Sequence, residues 1–206
     1  MIEVHHLENS RSQRILWLLE ELALEYKVIV YKRDPVTNFA PDTLKTIHPL
    51  GKSPVIRDGS QVVIESGAIL EFLVRVHGGG RLAPAATDAD YWRYVQLLHY
   101  AEGSGMLPFM LRLYAGRVGD AAAPILPRIL SQIELHLGFL DSELAGRDYF
   151  VGDSLTAADV NLSFVLQIAR RLHGLEKYSN LVRFLARVEA RPAYKRALER
   201  GGPYAY

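Results

Sequence analysis

Two serines in the loop after the first predicted strand, Ser10 and Ser12, are well placed to act on a ligand. The extended run at residues 2–5 ends before this loop, and an apolar helix pattern follows from Ile15. A hydroxyl at this point can donate to a ligand that binds near the positive end of the helix. It can equally cap the helix, and the local sequence leaves both interpretations open. Asn9 is a third possible donor in the loop.

A second polar pair, Glu65-Ser66, stands directly between the predicted strand Gln61–Ile64 and an apolar-periodic segment. A serine at the start of a helix lies beside main-chain N–H groups that have no partner within the helix, so Ser66 is suited to bind a ligand carboxylate. The alternative is that Ser66 only caps this helix.

Between the two serine clusters lies a predicted β-hairpin. Pro54 precedes the apolar pair Val55-Ile56, and Asp58-Gly59 is a strong signal for a two-residue turn. Proline cannot donate to a sheet, so Pro54 belongs at a strand start or an edge, where main-chain groups could pair with a ligand's backbone. Lys52 lies beside that position and could bind a ligand carboxylate, although a solvated loop lysine is the alternative.

The elements that must position these residues form two predicted domains. The strand, the helix and a further strand at Tyr26–Tyr31 read as a right-handed βαβ unit, whose first loop carries Ser10. A stretch rich in glycine and ending in proline follows, after which strand signals stop. We therefore predict an α/β domain at residues 1–77, a linker at 78–87 and an all-helical domain at 88–206.

The predicted helical domain begins with a long pattern at residues 88–114 that bends near Gly103-Ser104-Gly105. Further helices are predicted at residues 125–144, 179–188 and 192–200. Thr156 and Asp159 have the spacing of a capping box at the start of another helix, so we interpret Asp159 as a folding residue and exclude it from catalysis.

Composition narrows the classes of function. The chain has 206 residues, 49% of them apolar, and a net charge of +1, which indicates a soluble globular protein with no electrostatic preference for nucleic acid or anionic membranes. It has no long uncharged apolar run and no signal-like N-terminus, so we expect a cytoplasmic location.

The chain contains no cysteine, which excludes disulfides, thiolate metal sites and any mechanism that uses a protein thiol. Sulfur chemistry would need a sulfur supplied by a ligand. His5, His6, His48, His77 and His99 lack the spacing of common zinc sites, so surface or capping roles are favoured. Gly51-Lys52-Ser53 is not a phosphate loop, because Thr46 stands where the motif needs glycine.

Two motifs carry a family resemblance that extends over nearly the whole chain. The sequence Pro-Leu-Gly-Lys-Ser-Pro-Val at residues 49–55, followed by Glu-Ser-Gly-Ala-Ile at 65–69, resembles the glutathione-binding half of the cytosolic glutathione transferases. The resemblance implies a thioredoxin-like N-terminal domain and an all-helical C-terminal domain. It also implies a cis bond before Pro54 and a glutathione site made by these residues: Lys52, Ser53, Pro54, Val55, Glu65 and Ser66.

The loop around Ser10 resembles that of serine-type members, theta-like or fungal and bacterial relatives. In those members a hydroxyl lies four residues ahead of an arginine or a similar residue, as Ser10 does ahead of Arg14. The resemblance implies that Ser10 donates a hydrogen bond to the glutathione sulfur, with Ser12 or Asn9 as alternatives. The loop has no tyrosine, so a tyrosine-type arrangement is not supported, and the absence of cysteine excludes cysteine-type members.

The expected function is that of a glutathione transferase, in which the activated thiol attacks an electrophile or a peroxide. The resemblance implies a detoxifying homodimer that uses glutathione as a substrate and no metal. It also implies a second-substrate site between the domains, for which the candidates are Leu7, Tyr100, Ser104, Met106, Phe109 and Tyr114. The alternatives are a non-catalytic binding module of the same fold and a glutathione-dependent isomerase or dehalogenase.

Overall fold

A four-stranded mixed sheet is the centre of the first compact unit. The structure is a computed structural model that describes residues 1–202 and 204–205. The strands run in the order β2-β1-β3-β4. β1 pairs in parallel with β2 and antiparallel with β3, and β3 pairs antiparallel with β4. Their bounds are Ile2–Leu7 (β1), Tyr26–Tyr31 (β2), Val55–Asp58 (β3) and Gln61–Ile64 (β4).

The first helix, α1 (Gln13–Glu21), connects β1 to β2 and completes the predicted βαβ unit. Its apolar residues at 15–19 are all buried, which explains why a strand and helix with this sequence fold back on each other. The hairpin prediction is also confirmed, although its two turn residues are Gly59-Ser60, since Asp58 ends β3 and pairs with Gln61; Gly59 has a φ of +57°. Glycine adopts that conformation without steric cost.

Two shorter helical segments complete this part of the chain. A 3₁₀ helix covers Asp42–Thr46, and α2 (Ser66–Phe72) continues into a π-helical turn at Leu73–His77. The chain stays in the first unit to residue 83, and the Arg81 guanidinium donates to the Leu22 carbonyl at 2.7 Å. Part of the predicted linker at 78–87 is therefore tied to α1.

The last helix, α8 (Pro192–Gly201), returns to the first unit, which comprises residues 1–83 and 189–205. Trp17 of α1 is fully buried against the edge of Tyr194, with ring centroids 5.3 Å apart. The Arg191 guanidinium makes a two-point ion pair with Glu21, at 2.6 and 2.9 Å. This division differs from the predicted domain at 88–206, because α1 has an apolar outer face that needs a covering helix.

The second unit, residues 84–188, is helical throughout, as predicted. The long pattern at 88–114 is divided by a π-helical turn at Ala101–Gly105, where the bend was expected. The α-helices of this unit are α3 (Tyr91–Tyr100), α4 (Leu107–Ala115), α5 (Leu126–Glu143), α6 (Ala157–Leu172) and α7 (Ser179–Glu189). A short 3₁₀ helix lies at Gly119–Ala122.

Helix α6 is the buried centre of the second unit, and the predicted capping box marks its start. Asp159 Oδ2 accepts from the Thr156 N–H and hydroxyl, both at 2.8 Å, and Oδ1 accepts from the Phe150 N–H at 2.8 Å. Burial raises the pKa of Asp159 to about 6, although these hydrogen bonds act in the opposite direction. The carboxylate is thus fully engaged by main-chain and hydroxyl donors, in agreement with the structural role expected for it.

Among the residues that the structure describes, no helix combines the length and the apolar composition needed to cross a bilayer.

Candidate functional site

Ser53 joins the loop before β3 to the end of β1. Its Oγ donates to the His5 carbonyl at 2.9 Å and accepts from the Leu7 N–H at 3.3 Å. The bond between Ser53 and Pro54 is cis, as the resemblance implied. β3 then begins at Val55, so Pro54 stands immediately before the strand, as expected from its missing N–H group. These contacts place the 52–55 segment beside the loop that follows β1.

A second link joins the first turn of α1 to the start of α2. Arg14 is only 2% exposed, and its Nη2 donates to the Ser66 Oγ at 3.0 Å. Immediately before Ser66, the backbone of Glu65 has a φ of +67°, which non-glycine residues rarely adopt and which is frequent at functional sites. Glu65 itself is exposed, whereas Ser66 is buried. The Glu65-Ser66 pair is therefore held against α1 by a buried cation.

The two loop serines differ in accessibility. Ser10 keeps a small opening to solvent, with 6% of its surface exposed, whereas Ser12 has none. The Ser10 Oγ accepts from the Ser12 N–H at 3.2 Å and lies 2.8 Å from the Ser12 Oγ. Ser10 thus contributes both to the turn that leads into α1 and to the rim of the site. Ser12 can reach a ligand only through Ser10.

Behind Ser12 lies His6, a buried residue of β1. Its Nδ1 is 2.9 Å from the Ser12 Oγ. Burial lowers the pKa of His6, with a hydrogen bond to the Gly201 main chain and the charge of Glu8 acting in the opposite direction. The imidazole is therefore neutral at about pH 7, below which an ordinary histidine begins to acquire charge. The resulting chain of contacts runs from α8 through His6 and Ser12 to Ser10.

The remaining predicted ligand residues occupy different positions. Lys52 is exposed beside the Ser53–Pro54 bond, and the Val55 side chain is fully buried in the sheet. Only the main chain of Val55 could contact a ligand. Asn9 has a φ of +48°, and its side-chain oxygen accepts from the Ala205 N–H at 2.8 Å, so that oxygen is engaged by the C-terminal segment.

The six residues predicted for a second substrate do not share one environment. Leu7 is buried in the first unit, and Met106 and Phe109 are buried in the second. Ser104 and Tyr114 are exposed, and Tyr100 is part-buried with its hydroxyl 2.6 Å from His136 Nδ1. Of these side chains, only Ser104, Tyr114 and part of Tyr100 offer surface to a ligand.

Sequence reasoning missed Arg14 and His6 as residues of the site. Arg14 was noted only for its spacing from Ser10, and its contact with Ser66 links positions far apart in the chain. His5 and His6 were expected at the surface or at caps, which is wrong, since each is only 2% exposed. Both lie in β1, where five of the six residues are buried. Within residues 1–202 and 204–205, no three histidines or carboxylates form a metal-binding group.

Comparison with protein families gives matches over both units. The model described as "Glutathione S-transferase, N-terminal domain" matches residues 1–75, and the model described as "Glutathione S-transferase, C-terminal domain" matches residues 118–192. A curated relative, Glutathione S-transferase 3 of Schizosaccharomyces pombe, is 36% identical over 219 residues, which cover 97% of this chain and 88% of that protein.

Solved structures give the same result. A glutathione S-transferase from Actinobacillus pleuropneumoniae aligns with a TM-score of 0.89 and 36% identity, over 98% of this chain and 93% of that chain. A family member from Pseudomonas fluorescens Pf-5, solved with two glutathione bound, aligns with a TM-score of 0.83 and 27% identity, over 96% of this chain and 92% of that chain.

Proposed function

The chain belongs to the glutathione S-transferase family, and from that premise we propose that its first unit binds reduced glutathione and activates the thiol for attack on an electrophile. The observation that carries this proposal is the linked set of three polar segments around the end of β1. Ser53 is tied to β1, Ser66 to Arg14 of α1, and Ser10 opens to solvent in the loop between those two elements.

The proposed orientation of glutathione follows from charge and exposure. Its γ-glutamyl end lies at Glu65 and Ser66, where a carboxylate would meet the Ser66 hydroxyl with the buried Arg14 cation behind it. The cysteinyl part pairs with the main chain of Val55. The glycine carboxylate lies towards Lys52, an exposed cation at the other end of the groove.

The chemistry proposed for Ser10 is stabilisation of the glutathione thiolate by a hydrogen bond. A thiol of pKa ~8.5 is only about 3% ionised near pH 7, and lowering that pKa by ~2 units makes roughly three quarters of it nucleophilic. The change corresponds to about 2.7 kcal/mol, within the range of a hydrogen bond to a charged group assisted by a helix N-terminus. Ser10 is the direct donor in this proposal, because Ser12 is fully enclosed.

For the electrophile we propose contacts with Tyr100, Ser104 and Tyr114, the members of the predicted set with exposed surface. The thiolate would attack an electrophilic carbon or a peroxide, so conjugation and glutathione peroxidase activity are both expected. A cytoplasmic, homodimeric enzyme of detoxification is part of the same proposal, supported by the family to which the chain belongs.

Calorimetry with reduced glutathione tests the binding step. We expect wild-type protein to bind, and Ser66→Ala to raise the dissociation constant about tenfold, which corresponds to the loss of one hydrogen bond to a charged group. Ser60→Ala, at the exposed turn of the β3-β4 hairpin, is the matched control and should bind as wild type does. Lack of binding at millimolar glutathione would overturn the proposal.

Turnover is tested separately with a chlorinated nitroarene and with cumene hydroperoxide. Conjugation or peroxide reduction is the expected result. Binding of glutathione without turnover of any electrophile would instead identify a non-catalytic module of this fold.

A further inference from the structure

Ser10 is the first of three buried side chains, Ser10, Ser12 and His6, that are joined by hydrogen bonds. The Ser10 and Ser12 hydroxyl oxygens are 2.8 Å apart, and Ser12 Oγ is 2.9 Å from His6 Nδ1. Ser12 Oγ also lies 3.3 Å from the Leu7 carbonyl, a longer contact. His6 and Ser12 have almost no exposed surface, so both are shielded from bulk solvent.

The contact between His6 and Gly201, at the end of this hydrogen-bonded series, determines which imidazole nitrogen carries the proton. His6 bonds to the main chain of Gly201 in α8, and this bond raises the His6 pKa, so the imidazole is the donor and the carbonyl the acceptor. Because Ser12 occupies Nδ1, the donor is Nε2. We assign neutral His6 a proton on Nε2 and a lone pair on Nδ1, since the reverse tautomer would place a lone pair against a carbonyl oxygen.

This tautomer sets the direction of both serine hydroxyls. Ser12 donates its hydrogen to His6 Nδ1, and its oxygen is then available as acceptor for Ser10. A serine has one hydroxyl hydrogen. In this arrangement the hydrogen of Ser10 points to Ser12, and its oxygen keeps one lone pair, beside the one that accepts from the Ser12 N–H, for a glutathione thiol as donor.

We propose that His6 is a positioning residue that takes up the glutathione thiol proton through Ser10 and Ser12 and thereby turns the Ser10 hydrogen towards the sulfur. The proposal rests on the function proposed above. The S–H proton passes to the Ser10 oxygen, the Ser10 hydrogen to Ser12, and the Ser12 hydrogen to His6 Nδ1. The products are a thiolate and an imidazolium. The hydrogen bonds that join the sulfur, Ser10, Ser12 and His6 Nδ1 are all kept, and each now runs in the opposite direction. No electron is transferred and no co-reactant is needed.

The surroundings of His6 permit this uptake. Glu8 is the charged group whose field acts on the imidazole, and it favours the protonated form, as does the Gly201 carbonyl of α8. α1 contributes the neutral Ser12 to the ring. Burial lowers the His6 pKa in the free protein, so the imidazole is unprotonated and ready to accept at about pH 7. A thiolate formed at Ser10 adds a second negative charge that favours imidazolium.

The test compares two quantities in one mixture of protein and reduced glutathione. Ultraviolet absorbance gives the thiolate formed, and an indicator dye in weak buffer gives the protons released to solvent. If His6 retains the proton, wild-type protein releases clearly less than one proton for each thiolate. In His6→Asn and in Ser12→Ala we expect full release and about threefold less thiolate at about pH 7, equal to a rise of about one unit in the thiol pKa from ~6.5.

His5→Asn is the matched control, because His5 is an equally buried neighbour in β1 whose Nδ1 bonds to the Tyr31 hydroxyl instead. It should behave as wild type in both readouts. Ser12→Ala keeps the test valid if His6→Asn does not fold. Nitrogen NMR of the wild-type imidazole is an independent measurement, in which glutathione should add a proton to Nδ1.

The outcomes separate this proposal from the proposed function. Binding of glutathione as thiolate, with one proton released for each thiolate in wild-type protein, overturns the role of His6 and leaves the proposed function standing. If His6→Asn and Ser12→Ala both match wild type in thiolate formed and protons released, the role of His6 is likewise overturned and the proposed function still stands. Absence of glutathione binding in calorimetry removes the proposed function, and the role of His6 with it.

Discussion

Ser10 and Ser12 lie two residues apart, yet only Ser10 keeps exposed surface. Both have the residue type and the spacing for a helix cap or for a donor to sulfur, and the local sequence could not separate them. The structure separates them by burial, since Ser12 is enclosed between His6 and the Leu7 carbonyl. Burial depends on strands and helices that are distant in the chain, so no local pattern contains this information.

The direct role proposed for Ser10 predicts a change in pH dependence. Ser10→Ala should lower kcat/KM by about 10- to 100-fold at about pH 6.5, because a hydrogen bond to a charged group contributes about 1.5–3 kcal/mol. The loss should shrink as the pH approaches the pKa of the free thiol, where ionisation no longer needs assistance. Steady-state conjugation rates over a pH series check this.

Ser131→Ala on the exposed face of α5 is the control for that series and should leave the profile unchanged. A Ser10→Ala profile that coincides with wild type, together with a shifted profile for Ser12→Ala, would transfer the role of sulfur donor to Ser12.

Arg14 is a buried cation that donates a hydrogen bond to the Ser66 hydroxyl, 3.0 Å away. We expect Arg14→Gln to raise the dissociation constant for glutathione about tenfold or more, because the shorter neutral side chain neither orients Ser66 nor attracts a ligand carboxylate. Calorimetry measures the change. Arg11→Gln in the same loop is the control. An equal loss of glutathione affinity in the two variants would show a general effect of positive charge instead of a specific role for Arg14.

At the scale of elements, the sequence was most informative where a local rule decides the structure. The hairpin between β3 and β4, the strand Tyr26–Tyr31 and the capping box of α6 are all confirmed. Each depends on residues within a few positions of one another. The link between Arg14 and Ser66 and the chain from Ser10 to His6 were missed, because they join polar side chains across elements.

The capping box predicts a large effect on stability from a small change. Asp159→Asn replaces one acceptor oxygen by an NH₂ group, which would face the N–H and hydroxyl donors of Phe150 and Thr156. A buried donor left without an acceptor costs about 1–3 kcal/mol, so we expect the free energy of unfolding to fall by about 2–3 kcal/mol.

Urea unfolding followed by circular dichroism measures this difference. Asp153→Asn, an exposed carboxylate in the loop before α6, serves as control and should change stability by less than about 0.5 kcal/mol. Equal stability of Asp159→Asn and wild type would contradict the structural role given to Asp159.

At the scale of the whole molecule, the first unit is assembled from two segments of the chain that are separated by the entire second unit. The sequence indicated both α8 and the apolar helix α1 but not their contact. The glycine-rich boundary near residue 80 suggested instead that everything beyond it formed one domain. Helix periodicity shows which face must be buried and does not show which distant helix covers it.

The contact between α8 and α1 predicts long-range stabilisation. Tyr194→Ala removes the ring that packs on the fully buried Trp17, so we expect the free energy of unfolding to fall by about 2–4 kcal/mol, as for other large-to-small changes in a core. Lys195→Ala, exposed on the same helix, should be close to neutral. Melting curves of the two variants that coincide would contradict the packing described here.

The return of α8 also has a consequence for synthesis on the ribosome. Domains made early in translation commonly fold as soon as they emerge. Here the sheet and α1, which are made before residues 189–205, stay incomplete until those residues have been added. Until then Trp17 lacks the cover of Tyr194, so we expect the apolar outer face of α1 to stay exposed to solvent during synthesis of the second unit.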